Sequence, residues 1–255
     1  DPVNPNPADG DPVLDLDAAR RRFADATASY RTADPFPHAV FDDLLAADAF
    51  AAAARAFPAH DSPHWTGYLH VNERKYGNTR AASWPAELTA VADALTSPGF
   101  VAALEAMTGI EGLRPDPDLD GGGLHRTVGG GYLNVHADFT AHHTRPTWRR
   151  RVNLLLYLNA EWDAAWGGQL ELWDETVTRV VRRVEPVGNR AVVFDTSERS
   201  FHGHPDPLRT PDGVARNSLA LYYFTEEAAP IVRSTDYRPR PGDGVRAVAI
   251  HADRV

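Results

Sequence analysis

The pattern of hydrophobic and polar positions divides the chain into two parts that meet near Leu124. Before Leu124, apolar residues recur at the three- and four-residue spacing of amphipathic helices, and Pro58 and Gly109 supply stop signals. A short strand is predicted within 34–45, and the polar, aromatic segment 63–79 indicates a long loop or a hairpin. The spacing predicts four helices, over 16–33, 46–57, 84–97 and 98–110.

After Leu124 the pattern changes to short strand-like runs that are separated by turns. Several such runs without helices between them predict a β-sandwich or a barrel. The predicted strands span 131–137, 152–159, 168–173, 180–186, 190–195 and 218–225. The sequence therefore predicts a mainly β, α+β protein in which helices precede a β-core.

We expect these two parts to form one domain, because no flexible linker divides them. The Pro- and Asp-rich segment 1–13 is predicted to be a loose N-terminal arm. The domain would then cover 14–255, with helical support over about 14–120, the β-core over about 121–226 and a polar tail over 227–255.

Composition and charge narrow the classes of function. Of the 255 residues, 43% are hydrophobic, which suffices for one large core, and the formal net charge of -9 disfavours binding to nucleic acid. No apolar run approaches the roughly 18 residues that a membrane span needs. We therefore expect a cytoplasmic protein that binds neither nucleic acid nor a membrane, and its oligomeric state stays open. Because the chain has no cysteine, any metal must be bound by His, Asp or Glu.

Two candidate metal ligands lie in the segment "GGGYLNVHADFTAHH" at 129–143. His136 and Asp138 are two positions apart, so an extended strand would point both to the same side. A third candidate, His202, follows the predicted strand "RAVVFD" in the segment "SFHGHP". His-x-Asp followed by a distant His is the facial triad of non-haem Fe(II) oxygenases. The alternative is a chance pair of polar residues on a solvated strand.

A candidate anion-binding group opens the last predicted strand, "RNSLALYYF". Arg216 and Ser218 share one face of that strand, and a guanidinium can bind a carboxylate through two parallel hydrogen bonds. The alternative is an arginine at a strand end that extends its head group to water.

Together these motifs resemble the catalytic core of the 2-oxoglutarate- and Fe(II)-dependent dioxygenases, in the prolyl-4-hydroxylase-like branch and as a bacterial member. The resemblance covers roughly Leu124 to Thr225 and rests on an ordered series: "HADF", then "YLN" with "W" and "GGQLEL", then "PVGNRAVVF", then "FHG", then "RNSLALYYF". It implies a double-stranded β-helix, or jelly roll, with the N-terminal helices packed outside its major sheet.

The resemblance also implies roles for individual residues. His136, Asp138 and His202 would be the catalytic iron ligands, and Arg216 would pair with the distal carboxylate of 2-oxoglutarate. Tyr157 would hydrogen-bond to the same carboxylate, and Ser218, His125 and Asn134 are further candidates for cosubstrate binding. The implied reaction uses O₂ and 2-oxoglutarate to hydroxylate a substrate, releases succinate and CO₂, and is assisted by ascorbate in vitro.

The substrate is less defined than the reaction. Arg74 and Tyr76 lie in the segment "HWTGYLHVNERKYGNTR" (64–80), which could form a lid or a surface hairpin. A basic lid would suit a small polar metabolite or an amino-acid-like group, including a peptidyl or carrier-bound one. His204 is a further substrate candidate, although Pro205 is expected to direct it into the following loop. His142 and His143 are expected to be solvated or at the rim of the pocket.

Two other classes stay open from the residues themselves. One is a cupin-like metal-dependent enzyme that does not use 2-oxoglutarate. The other is a non-enzymatic β-sandwich that serves as an interaction module.

Overall fold

The computed structural model describes residues 13–230 and 234–252, and within these ranges the chain forms five α-helices and thirteen strands. The helices are α1 (Leu16–Arg31), α2 (Ala47–Ala56), α3 (Ala86–Thr96), α4 (Pro98–Thr108) and α5 (Arg246–Ala252). The strands are β1 (His38–Phe41), β2 (Thr66–Leu69), β3 (Glu73–Asn78), β4 (Arg114–Pro115), β5 (Gly123–Val128), β6 (Tyr132–Ala137), β7 (Trp148–Tyr157), β8 (Leu170–Trp173), β9 (Val180–Val184), β10 (Ala191–Asp195), β11 (His202–His204), β12 (Ala215–Glu226) and β13 (Asp236–Tyr237).

Local sequence signals fix the ends of the N-terminal helices. The carboxylate of Asp15 accepts a hydrogen bond from the Ala18 amide at 2.8 Å and caps α1. Ser97 caps α4, Pro98 occupies its first turn, and Gly109 ends it with a φ of 76°, a conformation that favours glycine. The four helices predicted from periodicity are therefore confirmed.

The strands form one antiparallel sheet that curls into a double-stranded β-helix. Its order is β1-β10-β7-β12-β5-β3-β6-β11-β8-β9, with β13 paired to β6, β2 to β3, and β4 to β12. The predicted jelly roll is confirmed, and β7 and β12 each begin earlier than the sequence pattern indicated.

Alternate residues of the central strands face two different environments. Leu154, Val193 and Leu221 pack with Phe23 and Leu104 of the helices in the main hydrophobic cluster. A smaller cluster faces the inside of the barrel and contains Tyr157, Leu170, Leu172, Val192 and Phe194. Burying one such side chain contributes about 1.5–3 kcal/mol to the free energy of unfolding. The helices therefore stabilise the outer face of the sheet, and the inner face is left to line a cavity.

The segment predicted as a loop or hairpin is a hairpin that extends the sheet. In it β2 pairs with β3, with Thr66 opposite Gly77, and β3 continues onto β5 and β6. The predicted tail also returns to the sheet, because β13 pairs with β6 and places Tyr237 opposite His136. Most of the predicted arm, 1–12, lies outside the described residues. None of the helices in the described ranges is long and apolar enough to cross a membrane.

Candidate active site

A cavity of about 340 Å³ lies inside the barrel and contains most of the polar residues that the sequence singled out. Strands β3, β5, β6, β7, β11 and β12 supply its walls, and the C-terminal segment adds Ser234, Thr235 and Tyr237. Its lining includes His125, His136, Asp138, His202, His204, Arg216 and Ser218.

Strand pairing brings the three candidate metal ligands together. His202 on β11 stands directly opposite His136 on β6, and Asp138 follows β6 at once. One ligand atom from each residue lies within 4.8 Å of the other two. The His136 Nε2 is 3.3 Å from Asp138 Oδ1, and the His202 Nε2 is 3.6 Å from Asp138 Oδ2. All three side chains are buried.

Backbone carbonyls orient both imidazoles toward this point. The Nδ1 of His136 donates to the carbonyl of Asn134 at 2.9 Å, and the Nδ1 of His202 donates to the carbonyl of Ser200 at 2.9 Å. Because a carbonyl can only accept, each ring carries its proton on Nδ1 and leaves the Nε2 lone pair free. Burial and the nearby His136 lower the pKa of His202 to about 4, which keeps this ring neutral at physiological pH.

The two oxygens of Asp138 have different partners. Oδ2 accepts a hydrogen bond from Asn153 Nδ2 at 2.5 Å and lies 3.5 Å from the guanidinium of Arg150. The amide of Asn153 is held in turn by the Thr196 hydroxyl, which donates to Asn153 Oδ1 at 3.0 Å. Burial raises the pKa of Asp138, but its interactions with the His202 ring and with the guanidinium of Arg150 lower it more, so it lies well below its usual range.

Sequence reasoning missed both Asn153 and Arg150. Arg150 is fully buried, and its guanidinium carbon lies 3.8 Å from the ring centre of Phe139 and 3.6 Å from that of Tyr222. A usable signal was present, since Asn153 is the one amide in the apolar run "VNLLLY" at the end of β7 and lies on its inward-facing side.

Arg216 lies in the same cavity, and among the described residues its hydrogen-bond partners are neutral groups. Its Nε donates to the carbonyl of Gly168 at 2.9 Å, and one terminal nitrogen donates to the Tyr157 hydroxyl at 3.1 Å. Ser218 lies opposite Tyr157 in the pairing of β12 with β7. Within the described ranges no carboxylate pairs with this buried guanidinium, and burial lowers its pKa. Such a cation requires an anion from outside the chain to offset the cost of its burial.

The hairpin presents different residues to the cavity than the sequence suggested. Glu73 and Lys75 line the cavity, whereas their neighbours Arg74 and Tyr76 alternate to the other side of β3 and do not. The Lys75 Nζ is 2.9 Å from Glu73 Oε2. Burial raises the pKa of Glu73, but the charge of Lys75 and hydrogen bonds from Lys75 and His70 lower it to about 2. The hairpin wall is thus a neutralised ion pair rather than a basic surface.

The remaining histidines and Asn134 are placed as follows. The expectation that His142 is solvated is wrong, because it is buried and its Nε2 is 3.1 Å from Asp116 Oδ1. His143 is exposed and lies at the cavity rim, as expected. His204 is not carried into the loop, since it belongs to β11 and lines the cavity. The side chain of Asn134 does not line the cavity and donates instead to the carbonyl of Val71.

His125 lies deep in the cavity wall on β5. Burial and the nearby charge of Lys75 lower its pKa to about 3, so its imidazole is neutral at physiological pH. A neutral ring can donate one hydrogen bond into the cavity and accept another.

Comparison with known proteins gives one family match and several structural ones. The model of the 2OG-Fe(II) oxygenase superfamily matches residues 122–224. No curated protein matches the chain.

Three solved structures share the fold. A Pseudomonas putida prolyl-4-hydroxylase is 19% identical with a TM-score of 0.55, and the match covers 82% of this chain and 100% of that one. A Trichoplax adhaerens prolyl hydroxylase, in complex with a hypoxia inducible factor peptide fragment, is 17% identical with a TM-score of 0.60, over 82% and 91%. A prolyl 4-hydroxylase from Phytophthora capsici is 22% identical with a TM-score of 0.54, over 89% and 68%. At these identities the likeness shows that the fold is prolyl-4-hydroxylase-like.

Proposed function

We propose that the chain is an Fe(II)- and 2-oxoglutarate-dependent dioxygenase that hydroxylates a small polar or amino-acid-like group, and the match of residues 122–224 to the model of the 2OG-Fe(II) oxygenase superfamily supports this proposal. That group is a free metabolite or part of a peptide or carrier, and succinate and CO₂ are the coproducts. The observation that carries the proposal is the unpaired, buried guanidinium of Arg216 in one cavity with His136, Asp138 and His202. We further propose that residues 14–255 act as one domain, because the helices and the sheet share one core.

The donor set fits Fe(II). Two imidazoles that are fixed through Nδ1 and one ionised carboxylate are the ligand types of the facial triad, which leaves positions open for a keto acid and O₂. In this proposal His136, Asp138 and His202 hold the metal, and backbone carbonyls keep the two rings in the ligating tautomer.

The second group of residues fits a dicarboxylate. Arg216 is held in place by Gly168 and Tyr157, so its remaining N–H groups are oriented before any ligand arrives. We assign the distal carboxylate of 2-oxoglutarate to Arg216 and Tyr157, with Ser218 and His125 as neighbouring polar groups. Asn134 is more distant and acts on the site through the carbonyl that orients His136.

In this proposal the cofactors carry out the oxidation, and the protein positions and encloses them. Bound Fe(II) and 2-oxoglutarate supply the oxidation, in which one atom of O₂ enters succinate, the other enters the substrate, and CO₂ leaves. The chain holds Asp138 ionised, keeps His202 neutral, fixes both imidazoles through their Nδ1 atoms and encloses the reacting atoms in a cavity walled by β-strands.

The family match supports the proposal over the two alternatives that the residues alone left open. A non-enzymatic interaction module would not account for the match to an oxygenase superfamily. A cupin-like enzyme without 2-oxoglutarate would also leave Arg216 buried without an anion.

The proposal is tested by separating metal binding from cosubstrate binding. We expect Arg216→Ala to retain iron but to raise the dissociation constant of 2-oxoglutarate at least about 30-fold, because loss of one partner of a buried charge pair costs about 2–5 kcal/mol. We expect Asp138→Ala to lose iron and succinate formation. The exposed Arg209, in the loop before β12, provides the control Arg209→Ala. An Arg216→Ala variant with wild-type affinity for 2-oxoglutarate would show that the arginine is assigned wrongly.

The substrate class is tested with the intact enzyme. Purified protein with Fe(II), 2-oxoglutarate and ascorbate is incubated with panels of polar metabolites, amino acids and peptides, and succinate is measured. A true substrate raises succinate formation above the uncoupled rate and gains one oxygen atom in mass. Stimulation by apolar compounds alone would contradict the proposed polar class.

A further inference from the structure

His204 is a buried histidine in the cavity for which the proposed mechanism has no role. It lies on β11 two residues after His202, and a β-bulge separates them, because His202 stands opposite His136 and His204 opposite Leu133. The residue is 4% exposed, and its Nδ1 is buried and has no hydrogen-bond partner among the described residues. A buried imidazole nitrogen without a partner is costly, so a ligand group at this position would stabilise it.

The surroundings of His204 indicate what kind of ligand group this is. His204 lines the same cavity as Arg216 and Lys75, and the guanidinium of Arg216 is the cation that acts most strongly on its ring. The acids in the described lining of this cavity have other partners: Glu73 lies beside Lys75, Asp120 beside His143 and Asp138 beside Arg150. An anion that binds Arg216 would therefore suit this position, and with its proton on Nδ1 the imidazole of His204 would donate a hydrogen bond to that anion.

We propose that His204 hydrogen-bonds to the distal carboxylate of 2-oxoglutarate together with Arg216. This inference rests on the proposed function, since it assigns a further residue to the same cosubstrate site. A carboxylate offers about four lone-pair positions, so the guanidinium, the Tyr157 hydroxyl and one imidazole can all be satisfied by it. His204 is then a cosubstrate-binding residue and not a metal ligand, in agreement with its absence from the His136, Asp138 and His202 group.

The test measures binding of 2-oxoglutarate to the Fe(II) protein by calorimetry without O₂, so that no turnover is needed. We expect His204→Ala to keep full iron content and to raise the dissociation constant about tenfold or more, as for loss of a hydrogen bond to a charged group. His204→Gln retains a donor and should recover part of the affinity. The exposed His143 at the rim gives the control His143→Ala, which should bind as wild type.

A second keto acid tests whether His204 contacts the distal carboxylate of 2-oxoglutarate. A 2-keto acid that lacks the distal carboxylate, such as 2-oxobutyrate, should bind wild type and His204→Ala with equal affinity. If His204→Ala does not fold, His204→Leu, which keeps the side-chain volume, replaces it.

Three results would overturn the inference: unchanged 2-oxoglutarate affinity in His204→Ala, loss of iron in that variant, or an equal loss of affinity for the truncated keto acid. Failure of the wild-type protein to bind 2-oxoglutarate would instead refute the proposed function, so the two failures are distinguishable.

Discussion

At the scale of single residues, the orientation of Asp138 decides how the chain would present a carboxylate to a metal. Oδ2 is held by Asn153 and lies near Arg150, so Oδ1 is the oxygen that we expect to act as the ligand atom. Thr196 fixes the amide of Asn153 so that its NH₂ group faces the carboxylate. The chain therefore offers one oxygen rather than two, and this leaves more coordination positions for ligands that are not protein groups.

We predict that Asn153→Leu weakens Fe(II) binding about 10- to 100-fold, the range found when an outer partner of a metal ligand is removed. The change keeps the volume of the side chain but removes its donor to Asp138 Oδ2. Metal affinity is measured by calorimetry with Fe(II) without O₂, and with Co(II), whose visible spectrum reports a change in ligand geometry.

Thr196→Val serves as the matched variant for this prediction. It removes only the hydroxyl that orients the amide, so its loss of metal affinity should be smaller. Unchanged metal affinity and an unchanged Co(II) spectrum in Asn153→Leu would contradict the role that we assign to Asn153.

The candidate residues that sequence reasoning found and those that it missed differ in a physical way. Spacing along the chain made His136, Asp138, His202 and Arg216 candidates, and the ordered series of motifs around them, which resembles a known family, gave them their expected roles. Asn153 is an ordinary amide whose role depends on the pairing of β7 with β10 and β12, and pairing cannot be read from one strand.

At the scale of elements, β11 is another case in which strand pairing could not be deduced from the sequence of one strand. Three residues are too few to display a period of two, and the strand exists because β6 and β8 pair with it on both sides. The expectation that Pro205 carries His204 into the loop was wrong for this reason. The helices were predictable because their caps, Asp15, Ser97 and Gly109, are local signals.

One hydrogen bond connects the first helix to the barrel. Tyr30 in the last turn of α1 is fully buried, and its hydroxyl donates to Asp195 Oδ1 at 2.5 Å, at the end of β10. Burial raises the pKa of Asp195, and the hydrogen bond from the Tyr30 hydroxyl stabilises its ionised form.

We predict that Tyr30→Phe lowers the free energy of unfolding by about 1.5–3 kcal/mol, as for a hydrogen bond to a charged group. Tyr223→Phe is the matched control, since the buried Tyr223 hydroxyl donates to the neutral carbonyl of Leu95 at 2.7 Å. Tyr223→Phe should lower the free energy of unfolding by less than Tyr30→Phe, by about 0.5–1.5 kcal/mol. Urea unfolding at pH 7 measures both, and equal costs would show that the charge of Asp195 does not contribute.

At the scale of the whole molecule, the positively charged side chains are almost all arginines. Lys75 is the only lysine in the sequence, and the other basic residues are arginines. This lysine lies in the cavity beside Glu73, with its ammonium 5.7 Å from the ring centre of Tyr68. The Glu73–Lys75 pair is mostly buried, and it couples the stability of the fold to pH.

The sign of that coupling follows from the pKa of Glu73, which is about 2 in the folded protein against an ordinary value of 4.5. The folded state favours the ionised form, so the pair contributes stability that is fully present above about pH 4.5 and is lost as the pH falls toward 2.

We predict that Lys75→Met lowers the free energy of unfolding by about 2 kcal/mol at pH 7, because it leaves a mostly buried carboxylate without its cation. The difference from wild type should shrink between pH 4.5 and 2, since protonated Glu73 no longer needs that cation. Lys75→Arg keeps the charge and should retain most of the stability, and urea unfolding at pH 7, 5 and 3 compares all three proteins. A Lys75→Met deficit that stays constant over this range would mean that packing of the lysine stem, rather than its charge, stabilises the hairpin.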